Sequence, residues 1–275
     1  MRSRLTAPVR ILSVLGVVLT CVACVAPAVR FSRSAASFGM QAEVVEGAGH
    51  RHVIFESARG SARTLHVYID GDGTPWRWGR PTADPTPRNA LTLRLMALDP
   101  APSVYLGRPC YHGLAGTPPC AAKLWTAERY SADVVASMAA ALRHVLRRRA
   151  VERLVWFGYS GGGALAALLA PKFPETADLV TVAANLDVDG WTDFHGYSRL
   201  TGSLNPATQP PLPPRIRQRH YVGGRDRVVP VEVTRRGSRD PSTVTVIPSY
   251  DHVCCWGEIW PTILADVEAS AAGGR

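Results

Sequence analysis

A short apolar run, Leu154-Val155-Trp156-Phe157, stops at the pentapeptide Gly158-Tyr159-Ser160-Gly161-Gly162, and a run of small and apolar residues, Ala164–Ala170, follows at once. Unbroken apolar character over so few residues suits a strand of a parallel sheet, buried on both faces. The second run suits a helix packed against that sheet. A parallel strand that feeds directly into a helix needs a tight turn, and this one fits the pattern G-x-S-x-G. The pattern puts serine in a strained conformation at the tip, where side chains on either flank would clash. The Ser160 Oγ is thereby lifted clear of the sheet. The Gly161 N–H and the positive end of the new helix can then face a developing negative charge. The plainer alternative is a glycine-rich turn that only packs strand on helix. A phosphate loop fits worse, because no Gly-Lys-Ser/Thr follows.

The same rhythm extends along the chain. Strands are predicted at Ala42–Glu46, His52–Glu56, Leu65–Ile69, Ser103–Leu106, Leu179–Ala184, His220–Val222 and Val244–Ile247. Val134, Val135, Met138, Leu142, Val145 and Leu146 recur at helical spacing within residues 127–149, with Ser131 or Thr126 as the cap. Short helical segments are predicted at Leu91–Met96 and Trp256–Ala269. Thr74–Arg88 reads as a loop, and residues 187–215 as irregular. Strands alternating with helices predict an α/β fold: a mostly parallel sheet with helices on both faces.

A serine nucleophile needs a general base, and the base needs an orienting carboxylate. His252 follows the strand Val244–Ile247, and Asp226 follows the strand His220–Val222. Both lie where open α/β sheets carry their sites, at the carboxyl ends of strands. Asp187 and Asp189 are rivals for the acid. Asp251 is too near His252 in sequence to reach round the ring, and reads as a turn residue. A second oxyanion donor is expected in Asp70-Gly71-Asp72-Gly73, with the Asp72 N–H first and Gly73 second. The Asp72 side chain is expected to turn away from the oxyanion, folding back in an Asx-turn. A simple Asp-Gly turn is the alternative. Trp76 and Trp78 either line a pocket or cover the sheet edge.

These motifs together resemble the α/β-hydrolase superfamily. The resemblance rests on Gly158–Gly162, Gly224–Pro230 with Asp226, His252 and the turn Asp70–Gly73, and it spans roughly residues 50–270. It implies a nucleophile at Ser160, an acid at Asp226, a base at His252, and cleavage of ester, thioester or amide bonds through an acyl-enzyme without cofactor or metal. The turn departs from the family, reading Asp-Gly-Asp-Gly where many relatives carry His-Gly. A short irregular insertion stands in place of a full cap. Alternatives are acyl transfer to an alcohol or amine, and a non-catalytic envelope protein using the fold as a binding module.

Composition bears on location and partners. Arg2, Arg4 and Arg10 precede and open an apolar run, Ile11–Ala23, too short to span a bilayer comfortably. Residues 1–24 therefore read as an export signal, 25–41 as a linker, and 42–275 as one domain. Val22-Ala23-Cys24 resembles a lipoprotein processing site, with Cys24 as the lipidation candidate. Cleavage near Ala26 or Ala28, or an uncleaved anchor, are the other endings. Localisation is thus expected in the cell envelope, periplasmic or lipid-anchored, or outside the cell. The formal charge of +9 is carried almost wholly by scattered arginines. The run Arg147-Arg148-Arg149 suits a helix C-terminus, so nucleic acid is not an expected partner and a small acyl substrate is. Cys110 and Cys120 bracket a Gly/Pro-rich loop that a disulfide would staple. Cys254 and Cys255 are adjacent, and either pair or remain thiols; zinc ligation is the weaker reading.

Overall fold

The computed structural model describes residues 25–59 and 63–272, so the signal-like segment and Cys24 lie outside the described residues. In chain order come α1 (Pro27–Ser37), β1 (Gln41–Glu46), β2 (Arg51–Glu56) and β3 (Thr64–Ile69), then a hairpin of β4 (Trp76–Arg77) and β5 (Arg80–Pro81). They are followed by α2 (Leu91–Leu98), β6 (Ser103–Leu106), α3 (Ala132–Leu146), β7 (Arg153–Tyr159), α4 (Gly161–Leu169) and β8 (Thr176–Val182). The chain closes with α5 (Val188–His195), β9 (Arg217–Gly223), α6 (Val231–Ser238), β10 (Val244–Ile247) and α7 (Trp256–Ala272).

Eight strands form one sheet in the order β1-β2-β6-β3-β7-β8-β9-β10. β1 and β2 are antiparallel, β2 meets β6 antiparallel, and β6, β3, β7, β8, β9 and β10 run parallel. Side chains alternate across the pleat. Leu65, Val67, Ile69, Leu154 and Trp156 enter the core under α3 and α4. Tyr68, Val155, Phe157, Val180 and Val182 enter the opposite core, with residues of α1, α2 and α7. This two-sided burial is why the central strands read as unbroken apolar runs. At the start of α3, the Ser131 side chain accepts the Val134 N–H at 3.2 Å, capping the helix as expected.

Three segments differ from the sequence reading. Residues 25–41 carry α1 rather than a plain linker. Its small residues hide the period, but Phe31 and Ala35 are buried against the sheet. The loop Thr74–Arg88 contains the β4–β5 hairpin, which is too short to announce itself by alternation. The irregular stretch includes α5, capped by the Asp187 side chain at the Gly190 N–H. The basic run does end α3. Arg148 and Arg149 then reach Glu43 and Glu56 on the antiparallel edge.

Candidate active site

The turn that carries Ser160 forms where β7 ends. Ser160 sits at φ 54°, ψ −125°, a conformation that side-chain-bearing residues rarely hold. It persists because the surroundings fix both sides of the peptide. The Ser160 N–H donates to the Val182 carbonyl, and the Ser160 carbonyl accepts the Gly163 and Asn185 N–H groups. The flanking glycines are required by close approach. A Cβ on Gly158 would fall 2.5 Å from Gly163 Cα, and one on Gly162 would strike the Ile69 and Asp70 carbonyls of the neighbouring strand end.

Three expected residues come together here. The Ser160 Oγ lies 3.1 Å from His252 Nε2, and His252 Nδ1 lies 2.8 Å from Asp226 Oδ2. A carboxylate can only accept, so Nδ1–H donates to Asp226 and Nε2 is left to accept the serine hydroxyl proton. The other Asp226 oxygen accepts the Val228 and Val229 N–H groups, each at 2.8 Å, which fixes the carboxylate in the turn after β9. The His252 carbonyl accepts Tyr159 Oη–H and Trp256 Nε1–H, both at 3.1 Å, and the Tyr159 ring lies 5.2 Å from the imidazole. Neither contact was foreseen. The rivals for the acid are occupied elsewhere. Asp187 and Asp189 accept from Asn205, and Asp251 accepts the Val253 and Cys254 N–H groups as a turn residue.

The turn after β3 faces this arrangement, and its construction differs from the expectation. The Asp72 side chain makes no Asx-turn. Arg108 Nη1 and Arg129 Nη1 each lie 2.8 Å from one of its oxygens, and Tyr130 Oη–H donates to it at 2.7 Å. Burial alone would raise this carboxyl; Arg129 and Arg108, with Tyr130, more than reverse that and hold it down at about 2. Two guanidiniums face the Asp72 carboxylate, and Arg108 also acts on the neighbouring Asp70 carboxyl. The Tyr111 hydroxyl donates to the Asp72 carbonyl at 2.9 Å, and Arg108 donates to the Asp70 carbonyl at 3.2 Å. The residue that folds back locally is Asp70, whose Oδ1 accepts the Gly71 N–H at 2.8 Å and the Thr92 hydroxyl at 2.9 Å. Burial raises Asp70 to about 6 despite those two bonds.

The Asp72 and Gly161 N–H groups have no acceptor among the described residues, and both residues line the same cavity as Ser160 and His252. The two halves of the site touch at Gly161. A Cβ there would run into Asp72 Oδ1 and Tyr130 Oη. Gly73 lines the cavity too, at φ 67°, in a turn pressed against the Pro85 carbonyl. Arg108, Arg129, Tyr111 and Tyr130 were missed by the sequence reading. They lie in a connection without strand or helix periodicity, and a buried arginine and an exposed one look alike in sequence.

The cavity has a volume of about 950 Å³, and its walls include Trp76, Trp191, Tyr197, Leu200, Val229 and Val253. Trp76 therefore belongs to the pocket, whereas Trp78, beside it, does not line it. The Cys110 and Cys120 Cα atoms are 5.5 Å apart with their sulphurs joined, stapling the loop that follows Arg108. Cys254 and Cys255 are also joined, just past the histidine. His50 lies beside the Cys110–Cys120 bridge, whose sulphurs are tied up in the disulfide and offer no thiolate to a metal.

No protein-family model matches the chain, and no curated protein matches it in sequence. Solved structures do match in shape. An esterase of Pyrococcus furiosus superposes with a TM-score of 0.56 at 12% identity, over 85% of this chain and 90% of its own. A provisional lipase from Acinetobacter baumannii gives 0.57 at 14%, over 90% and 96%. A provisional α/β hydrolase of unknown function from Agrobacterium tumefaciens gives 0.57 at 13%, over 85% and 98%.

Proposed function

We propose that this chain, which has the α/β-hydrolase fold, is an exported serine hydrolase that cleaves an ester-type bond through an acyl-enzyme on Ser160. The observation that carries the reading is the unbroken hydrogen-bond relay from Ser160 Oγ through His252 to Asp226. As the hydroxyl attacks a carbonyl carbon, His252 Nε2 takes its proton. Asp226 holds the ring and stabilises the imidazolium that forms. The carbonyl oxygen becomes an oxyanion facing the Gly161 and Asp72 N–H groups, each worth about 3 kcal/mol of transition-state stabilisation. The start of α4 favours the same charge. His252 then returns the proton to the leaving alcohol; a water that gives its proton to His252 attacks the acyl carbon, and His252 passes that proton to the Ser160 oxygen as the acid departs.

The apolar aromatic walls suit an acyl chain or aromatic acyl group better than a charged one. Export follows from the arginine-flanked apolar run Ile11–Ala23, with Cys24 as the site of an acyl anchor. The test is a panel of p-nitrophenyl esters of rising acyl length, with mass analysis of the Ser160 peptide after rapid quenching. An acyl adduct on Ser160 that turns over in water is expected. An adduct that turns over only when an alcohol or amine is supplied would make the protein an acyltransferase. Absence of any adduct from folded protein would favour a binding module.

A further inference from the structure

The rim of the cavity is built unlike the rest of the surface. The β4–β5 hairpin turns through Trp78 and Gly79, both left-handed, at φ 51° and 71°. Trp78 is thereby held at the tip with 85% of its surface exposed, the most of any large apolar residue among those described. The Arg77 guanidinium lies 4.1 Å over its ring. A tryptophan in an unfavourable backbone conformation at a loop tip gains nothing by burial within its own chain. Beside it, Trp76, Tyr197, Val228 and Val253 are exposed as well, and all of them line the mouth. Exposed apolar side chains gathered at a cavity mouth, with Trp78 next to Trp76 on the hairpin, are of the kind that marks an interaction surface.

Cations stand around these side chains: Arg88 lines the cavity, Arg77 and Arg80 lie on the Trp78 hairpin, and Arg30 lies on α1. Arg30, Arg77, Arg80 and Arg88 make no ion pair among the described residues. Arg30 and Arg88 line a groove of about 160 Å³ between α1 and the 87–94 segment, and Arg88 and Asn89 line the main cavity too. The described chain starts at this same place. The Ala28 N–H donates to Asp84 Oδ2 at 3.0 Å, which ties the first turn of α1 beside the mouth, and Val25 and Val29 are exposed there. Ahead of that point lie the apolar residues Ile11–Ala23.

We propose that the mouth of the cavity is a docking surface for an anionic lipid bilayer. Trp78 sits at the bilayer interface, the rim arginines meet lipid phosphates, and the opening to Ser160 faces the membrane. Indole and guanidinium side by side match a layer in which polar headgroups overlie acyl chains. A chain held by its N-terminal apolar segment would be tethered at this rim, with the cavity turned toward the lipid and not away from it. No helix among the described residues is long and apolar enough to cross a membrane.

The experiment is binding of the full chain to vesicles of phosphatidylcholine alone or mixed with phosphatidylglycerol, with brominated lipid as a quencher of tryptophan fluorescence. Tighter binding to the anionic vesicles is expected, with quenching that is mostly lost in Trp78→Ser. Arg80→Ser is expected to weaken binding about fivefold. Leu98→Ser, exposed at the far end of the helix that begins near the mouth, is expected to bind as the unaltered chain does. Fluorophosphonate labelling of Ser160 is expected to be equal in all three variants, which keeps a failure of docking distinct from a failure of catalysis. Quenching that persists in Trp78→Ser together with undiminished binding of Arg80→Ser would overturn the proposal and leave the N-terminal segment as the contact. Absence of binding to anionic vesicles would overturn it outright.

Discussion

The two halves of the site reach the same cavity by different means. The half carrying Ser160, Asp226 and His252 is local and backbone-driven: each residue sits in the turn after a strand, and neighbouring N–H and carbonyl groups fix it. The half carrying Asp70–Gly73 is held from a distance, by Arg108 and Tyr111 beyond β6 and by Arg129 and Tyr130 ahead of α3. Removing a triad side chain should therefore remove chemistry and spare the fold. Removing the Asp72 carboxylate should damage both.

The largest effect expected tests the first half. Ser160→Ala or His252→Ala lowers ester turnover about 10⁴-fold or more, with the melting temperature close to that of the parent. Steady-state rates and calorimetry on the same preparations check this. Asp72→Ala tests the second half. It leaves Arg108 and Arg129 buried without their partner and costs about 3–5 kcal/mol of stability by urea unfolding. Turnover falls about 10²–10³-fold as the oxyanion donor shifts. A loss of activity at full stability would contradict the role given to the cluster.

This contrast also marks what was legible beforehand. The parallel sheet and the tight turn at Ser160 could be read because each is a short contiguous pattern. Asp226 and His252 stood out by following strands, and the structure joins them to Ser160. The surroundings of Asp72 could not be read. Its partners lie 36, 57 and 58 residues away in segments without periodicity, at Arg108, Arg129 and Tyr130. The unfavourable carboxylate was recognised, but its neutralisation by two arginines was not. Helix α1 escaped for another reason: its buried face is only Ala28, Phe31 and Ala35, too sparse to show a period against serines and alanines.

A smaller effect is expected where the halves touch. Gly161→Ala pushes a methyl group into Asp72 and Tyr130, at about 3 kcal/mol, and weakens the donor on that residue. Combined with Asp72→Ala, the loss should be less than additive, because the part of the clash made by the Asp72 carboxylate is then relieved while that with Tyr130 stays. Additive losses in a double-mutant cycle would mean that the halves are independent.

The smallest effect is a pH signature with opposite signs within one turn. Asp72, held at about 2, adds stability that is fully present above its ordinary value and is lost as pH falls toward about 2. Asp70, raised to about 6, favours its protonated form in the folded chain, so its charging costs stability as pH rises through that value. Asp70→Asn should therefore gain on the parent by about 3 kcal/mol between acid and neutral pH. Asp72→Asn should lose its deficit only in strong acid. Urea unfolding from pH 2 to pH 7 separates the two; parallel profiles for all three chains would refute the assignment.

The central claim is that Ser160 is an activated nucleophile, and labelling by a fluorophosphonate probe tests it most directly. Stoichiometric modification is expected, mapped to the Ser160 peptide, abolished in Ser160→Ala and strongly slowed in His252→Ala. A folded chain that stays unlabelled, or one labelled equally after Ser160→Ala, would contradict the account.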